Sequence, residues 1–185
     1  MTPNTETVIT RDCPAVRIPS GEQFTLAAGT QVFITQALGG SYTVATDQGL
    51  ARIADRDADA LGIAPAADAV ASPAATGPAA PVEETAVWDQ LRSCYDPEIP
   101  VNIVDLGLVY DCAVSQPAGQ TAKVDVKMTL TAPGCGMGPV LAGDVRSKLV
   151  AIPTVKDAEV EVVFDPVWDR SMMSEAARLQ LGMMW

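Results

Sequence analysis

From Ile63 to Pro81 the chain reads Ile-Ala-Pro-Ala-Ala-Asp-Ala-Val-Ala-Ser-Pro-Ala-Ala-Thr-Gly-Pro-Ala-Ala-Pro. The run has no hydrophobic period and almost nothing bulky to bury, and its prolines interrupt any continuous helix or strand. Such a stretch is a tether. It forbids a single core running the length of the chain and predicts three parts: a small β domain over 1–62, an Ala/Pro-rich linker over 63–85 and an α/β domain over 86–185. With 48% hydrophobic and 19% charged residues, the chain has material for two small cores.

The first region carries strand and turn signals. Gln31 to Ala37 alternates in polarity, Leu38-Gly39-Gly40 breaks the pattern, and Tyr42 and Val44 resume it. Asp47-Gln48-Gly49 turns the chain again before Leu50 to Ile53. Short strands with glycine-containing turns predict a small antiparallel barrel or sandwich. A β domain followed by an Ala/Pro linker also fits a biotinyl or lipoyl carrier. Those need a lysine to modify, and the first lysine here is Lys123.

The second region mixes periods. Val87, Leu91 and Tyr95 lie four apart on one helical face, and the helix is expected to stop at Asp96-Pro97, because proline disfavours helical geometry in the residue before it. Leu108, Tyr110, Cys112 and Val114 mark a strand, Pro117-Ala118-Gly119 turns it, and Ala122, Val124, Val126, Met128 and Leu130 alternate with polar residues. A helix follows from about Pro139 with Leu141, Val145 and Leu149 at spacing four, ending before Pro153. Ala158, Val160, Val162 and Phe164 are expected to face inward from a third strand. A last helix is expected over Ser171 to Leu181, with Ser171 or Ser174 as its cap. The strand-helix-strand unit crosses over right-handed and makes its strands parallel. The fold class is therefore α+β: a small N-terminal all-β domain, a linker, then an α-β-β-α-β-α domain with a three-stranded mixed sheet.

A net charge of −11 repels phosphate backbones and anionic lipid, which points away from nucleic acid and membrane surfaces. The start, Met1-Thr2-Pro3-Asn4-Thr5-Glu6, has neither a basic nor an apolar leader pattern, and no apolar run approaches the ~18 residues of a membrane span. The expectation is a cytoplasmic protein. The chain has no histidine, which removes Ser-His-Asp and Cys-His nucleophile schemes and His-ligated zinc together. Its four cysteines, Cys13, Cys94, Cys112 and Cys135, form no C-x-x-C pair and are too dispersed for a closed zinc site or a disulfide framework.

Cys135 stands apart. It follows a strand, Thr129-Leu130-Thr131-Ala132-Pro133-Gly134, is flanked by Gly134 and Gly136, and precedes the helical pattern whose unpaired N–H groups favour a nearby anion. Residue types alone leave two uses open, a soft metal ligand or a nucleophile. Without histidine or a nearby resolving cysteine, a thiol enzyme would have to move protons through Glu98, Asp96 or water. Cys112 reads as a core thiol, Cys13 as structural or incidental, and Cys94 sits beside the Asp96-Pro97-Glu98 turn. An isolated acidic turn of this kind is ordinarily a solvated cap.

Its context is distinctive. Asp96-Pro97-Glu98-Ile99-Pro100-Val101-Asn102-Ile103-Val104-Asp105-Leu106-Gly107-Leu108-Val109-Tyr110, with Thr129-Leu130-Thr131-Ala132-Pro133-Gly134-Cys135 downstream, resembles the family of small iron–sulfur cluster assembly factors that includes SufT and PaaD. Arg11-Asp12-Cys13-Pro14-Ala15, Ala37 to Val44 and Asp57 to Gly62 are similar to the extra domain of the SufT-like subgroup.

The resemblance implies a non-enzymatic maturation factor whose site comprises Asp96, Glu98, Thr131 and Cys135, with Cys135 as the ligand to transient iron or an iron–sulfur cluster. It implies iron–sulfur scaffold proteins and recipient apo-proteins as partners, and a homodimer is compatible with it. Relatives often carry a second threonine where this chain has Ala132, so a hydroxyl there is not required. A pure adaptor, with Cys135 incidental, is the alternative expectation.

Overall fold

The computed structural model describes residues 5–64 and 81–183. Residues 65–80 of the expected linker lie outside the described residues, as do Met184 and Trp185. The chain divides into two compact units. One holds the N-terminal strands together with Pro97–Pro100 and Cys135–Met137, and the other holds the remaining described segments of the second region.

Six strands build the first unit: β1 (Thr5–Val8), β2 (Cys13–Ile18), β3 (Gln23–Leu26), β4 (Gln31–Leu38), β5 (Ser41–Thr46) and β6 (Gly49–Ala54). They form one antiparallel sheet in the order β1-β4-β5-β6-β2-β3, so the expected all-β domain is a single sheet and not a two-sheet sandwich. Both hairpins expected from the glycine turns form, closing at Leu38↔Ser41 and at Thr46↔Gly49. In β4, Val32 and Ile34 are buried while Gln31, Phe33 and Thr35 are exposed, the alternation a sheet with one covered face requires. Ile9, Cys13, Val32, Val44 and Ile53 meet in the core. A 3₁₀ segment, Asp55–Leu61, contributes Ala60 and Leu61 to that core. Arg11 ties it down, donating from Nε and Nη2 to the Asp59 carboxylate, both at 2.7 Å, and from Nη2 to Asp57 at 3.0 Å.

The second unit contains α1 (Glu84–Arg92), β7 (Val109–Ser115), β8 (Ala122–Met128), α2 (Gly138–Val150), β9 (Val155–Val162) and α3 (Glu175–Gln180). Its sheet order is β7-β8-β9, antiparallel between β7 and β8 and parallel between β8 and β9, the mixed sheet that the crossover through α2 dictates. Helix α2 packs on β9 and α1 packs on α2. Val124, Val126 and Met128 of β8 are buried, as are Val87 and Leu91 of α1 and Leu141, Val145 and Leu149 of α2. The other side chains of β8 pair across the sheet with acids: Lys123 with Asp157, Asp125 with Glu159, and Lys127 with Glu161. Lys123 Nζ lies 2.7 Å from Asp125 and 2.8 Å from Glu159.

Three boundaries differ from expectation. Helix α1 ends at Arg92 with Ser93 as its C-cap, and Tyr95 leaves the helix to bridge Asn102 in antiparallel register. The pull is tertiary: a β-bridge in the following loop satisfies the backbone that a further helical turn would have used. Phe164 lies beyond β9 and is 45% exposed, so it does not face inward. The last helix is split. Arg170–Met172 is a 3₁₀ turn capped by Asp169, whose Oδ1 accepts from Ser171 N–H at 2.6 Å, and Met173 is extended. Ser174 then caps α3, its Oγ accepting from Ala177 N–H.

Candidate metal–sulfur site

The acidic turn grows out of a short backbone ladder. Ile103 N–H donates to Cys94 C=O at 2.9 Å, and Asp96 N–H donates to Val101 C=O at 3.4 Å. Just beyond, Asn102 organises the chain: its Oδ1 accepts from Asp105 N–H at 2.9 Å, and its Nδ2 donates to the Asp105 carboxylate at 2.6 Å. This side-chain cap accompanies a reversal of the chain in which Leu108 N–H reaches Ile103 C=O at 2.9 Å and leads into β7. Asp96 is not the solvated cap that an isolated acidic turn ordinarily makes: it is only 7% exposed, whereas Glu98 is exposed.

Residues 105–110 are also gripped by the C-terminal segment. Trp168 Nε1 donates to Leu106 C=O at 2.8 Å, Ser174 N–H to Asp105 C=O at 2.8 Å, and Tyr110 OH to Pro166 C=O at 2.8 Å. Gly107 lies at φ 71° directly against the Met172 carbonyl, where a Cβ would collide. Only glycine meets both demands, which explains the Asp105-Leu106-Gly107-Leu108 run in packing terms.

The strand end joins the acidic turn through Leu108, whose carbonyl accepts from Thr129 N–H at 2.8 Å. Val163 N–H donates to Met128 C=O at 2.8 Å on the other side, so Thr129 continues the β8 ladder by one step. Thr131 is half-buried, and Ala132, Pro133 and Gly134 are exposed. Leu130 packs against Gly138, the first residue of α2, its Cδ1 lying close to where a Cβ would stand.

Cys135 is a free, half-buried thiol three residues before α2, with Gly134 at φ 82° ahead of it. Asp96 and Thr131 belong to the second unit, while Glu98 and Cys135 lie in the segments counted with the first. Among the described residues no three Cys, Asp or Glu side chains converge as a ready-made metal site.

The other thiols are placed differently. Cys13 and Cys94 are fully buried, and burial pushes the Cys13 thiol up. Cys112 is half-buried on β7, opposite Val126, less enclosed than a core thiol. Burial first, then the Glu84 and Asp111 carboxylates, push its thiol up to about 11. Sequence reasoning missed Thr129, which is 1% exposed with a hydroxyl that has no hydrogen-bond partner. Its place among alternating polar residues gave no signal of burial.

The second unit is a small α+β domain built on a three-stranded mixed sheet, in a chain that has no histidine. Residues 84–162 match the model of a family described as iron-sulfur cluster assembly protein. The Fe-S protein maturation auxiliary factor of Porphyromonas gingivalis is 47% identical over 92 residues, spanning 50% of this chain and 84% of that protein. The Fe-S protein maturation auxiliary factor SufT of Staphylococcus aureus is 44% identical over 87 residues, 47% of this chain and 94% of that one. A crystal structure of a domain of unknown function, DUF59, from Bacillus anthracis is 37% identical and covers 54% of this chain and 92% of its own, with a TM-score of 0.49. The chain belongs to the iron–sulfur cluster assembly protein family.

Proposed function

We propose that this protein is a maturation factor that takes up iron or an iron–sulfur cluster transiently on Cys135 and hands it to recipient apo-proteins. It works in the cytoplasm beside scaffold proteins and without catalysing a reaction of its own. The observation that carries this reading is the half-buried Cys135 between a glycine turn and α2, two residues after the Pro133 of the strand end that carries the family resemblance. Thiolate is a soft ligand suited to iron and sulfide. The Asp96 and Glu98 carboxylates are hard ligands that could hold iron in passing, and the Thr131 hydroxyl could donate to sulfur. One thiol cannot enclose a cluster. The remaining ligands would come from a second subunit, a partner protein or a small thiol, and a cargo held by so few bonds is suited to transfer.

Anaerobic reconstitution with ferrous iron and sulfide tests the reading. Wild type is expected to take up iron that Cys135→Ala does not; equal uptake by both would remove Cys135 as the ligand.

A second reading, a docking adaptor, is favoured by the first unit. The family match over 84–162 does not include its six strands, and a sheet carrying the exposed apolar side chains Val8, Phe33 and Leu50 suits partner contact better than chemistry. Full rescue of a deletion strain by Cys135→Ser, measured on an iron–sulfur enzyme, would favour the adaptor.

A further inference from the structure

The turn between β2 and β3 meets the Cys135 loop backbone to backbone. Cys135–Met137 belong to the same compact unit as the N-terminal strands. Within that unit a Cβ on Gly136 would collide with the Ser20 carbonyl, and a Cβ on Gly21 would collide with the Gly136 carbonyl. The two glycines are needed on different grounds. Gly21 lies at φ 73°, so its own conformation already favours glycine, whereas Gly136 lies outside the left-handed region and is held to glycine by its neighbour alone. The residue that follows the thiol is thus shaped by a turn more than a hundred positions earlier in the chain.

That turn is held in shape by its own sheet. Gly21 N–H donates to Arg17 C=O at 2.8 Å, Arg17 N–H donates to Glu22 C=O at 2.8 Å, and β2 lies between β3 and β6. The Cys135 loop is open on its upstream side, where Ala132, Pro133 and Gly134 are exposed and Gly134 has nothing near the place of a Cβ. Glycine on both sides gives a cysteine more backbone freedom to lose on ordering than any other pair of neighbours would. The restraint lies downstream, in the Gly136 backbone seated on the turn and in the Met137 side chain, 2% exposed. A ligand that is already in place binds without the cost of ordering it.

We infer that Ser20 and Gly21 are positioning residues for Cys135: seated on the Gly136 backbone, their turn fixes the main chain that carries the thiol. The inference rests on the maturation reading above, and it gives the N-terminal strands a part in holding the cargo.

The test uses full-length apo-proteins and reads the rate of iodoacetamide labelling at each cysteine by peptide mass spectrometry. Gly136→Ala and Gly21→Ala are compared with wild type and with Gly29→Ala, which places alanine at φ 88° with nothing near its Cβ. Relief of the collision by opening of the loop is expected to speed labelling of Cys135 about fivefold in the first two variants, with buried Cys13 unchanged. Gly29→Ala is expected to label like wild type at Cys135. An unchanged Cys135 rate in both contact variants would overturn the inference, and so would equal acceleration at Cys13, which would assign the contact to the stability of the whole unit. Should Gly136→Ala fail to fold, Gly21→Ala decides, since it leaves the Cys135 loop's own sequence intact. After anaerobic loading with ferrous iron and sulfide, Gly21→Ala is expected to lose iron to a chelator faster than wild type; equal retention would overturn the role in holding cargo. Failure of wild type itself to load would sink the maturation reading, while the labelling rates, which need no metal, would still decide whether the turn positions Cys135.

Discussion

Lys148 of α2 reaches the carbonyl of Ser93 at the C-terminal end of α1, with Nζ to O at 2.5 Å. The side chain is 18% exposed and also lies 3.7 Å from Asp144, one turn earlier on its own helix. A cation at a helix C-terminus meets the negative end of the dipole and satisfies a carbonyl that has no partner within its helix. The bond caps the end of α1 at Ser93, three residues before Asp96, beside the Tyr95 bridge to Asn102 that draws the chain out of the helix.

Lys148→Met should remove this cap while keeping the aliphatic stem. The expected loss is about 1–2 kcal/mol, read as a lower denaturant midpoint at unchanged slope. An unaltered midpoint would show that Lys148 does not hold the end of α1.

Gly107→Ala places a Cβ at positive φ and against the Met172 carbonyl. Both effects destabilise, together by about 2 kcal/mol or more. The indole of Trp168, bonded to Leu106, reports on the same contact, so the variant should red-shift tryptophan emission as well as lower the midpoint. A variant with wild-type emission and stability would contradict the packing of the 166–174 segment on 105–110.

The first unit should lose stability in acid through Asp59. The Arg11 guanidinium, hydrogen-bonded to it, holds its carboxyl below the usual carboxylate range. A carboxyl whose pKa is lower folded than unfolded stabilises the fold fully above the unfolded value, near 4, and loses that contribution as pH falls through the folded value. Asp59→Asn is expected to flatten the acid limb of the stability curve and leave the neutral region close to wild type. An unchanged acid limb would remove Asp59 from the linkage.

The Cys112 thiol behaves in the opposite sense, since burial pushes it up to about 11. Its folded value lies above the unfolded one near 8.5, so its contribution is complete below pH 8.5 and declines as pH rises toward 11. Peptide mass spectrometry after iodoacetamide treatment at pH 8 should find Cys112 largely unlabelled, with labelling rising steeply above pH 10. Rapid labelling at pH 8 would show that β7 opens readily.

What could be read locally was read well. The hairpins over β4–β6 and β7–β8 follow from alternation bounded by glycine turns, and the parallel β8–β9 pair follows from a helix between two strands. The Asp96-Pro97-Glu98 and Thr131 to Cys135 runs were legible because their residue types and spacing are distinctive. The end of α1 was not, because Tyr95 gives up helical hydrogen bonding for a bridge to Asn102. Phe164 and Thr129 reversed their expected exposure for a related reason. Polarity alternation predicts which face a residue occupies, while burial depends on whether another segment covers that face.

By itself, the sequence determined the antiparallel N-terminal sheet, the mixed sheet and the absence of imidazole, because composition and periodicity act over a few neighbouring residues. Tertiary structure alone decided that Asp96 is buried, that Gly107 is required by Met172, and that the Thr129 hydroxyl is enclosed without a partner. Those outcomes depend on atoms brought together from positions tens of residues apart, where packing and hydrogen-bond satisfaction override local preference.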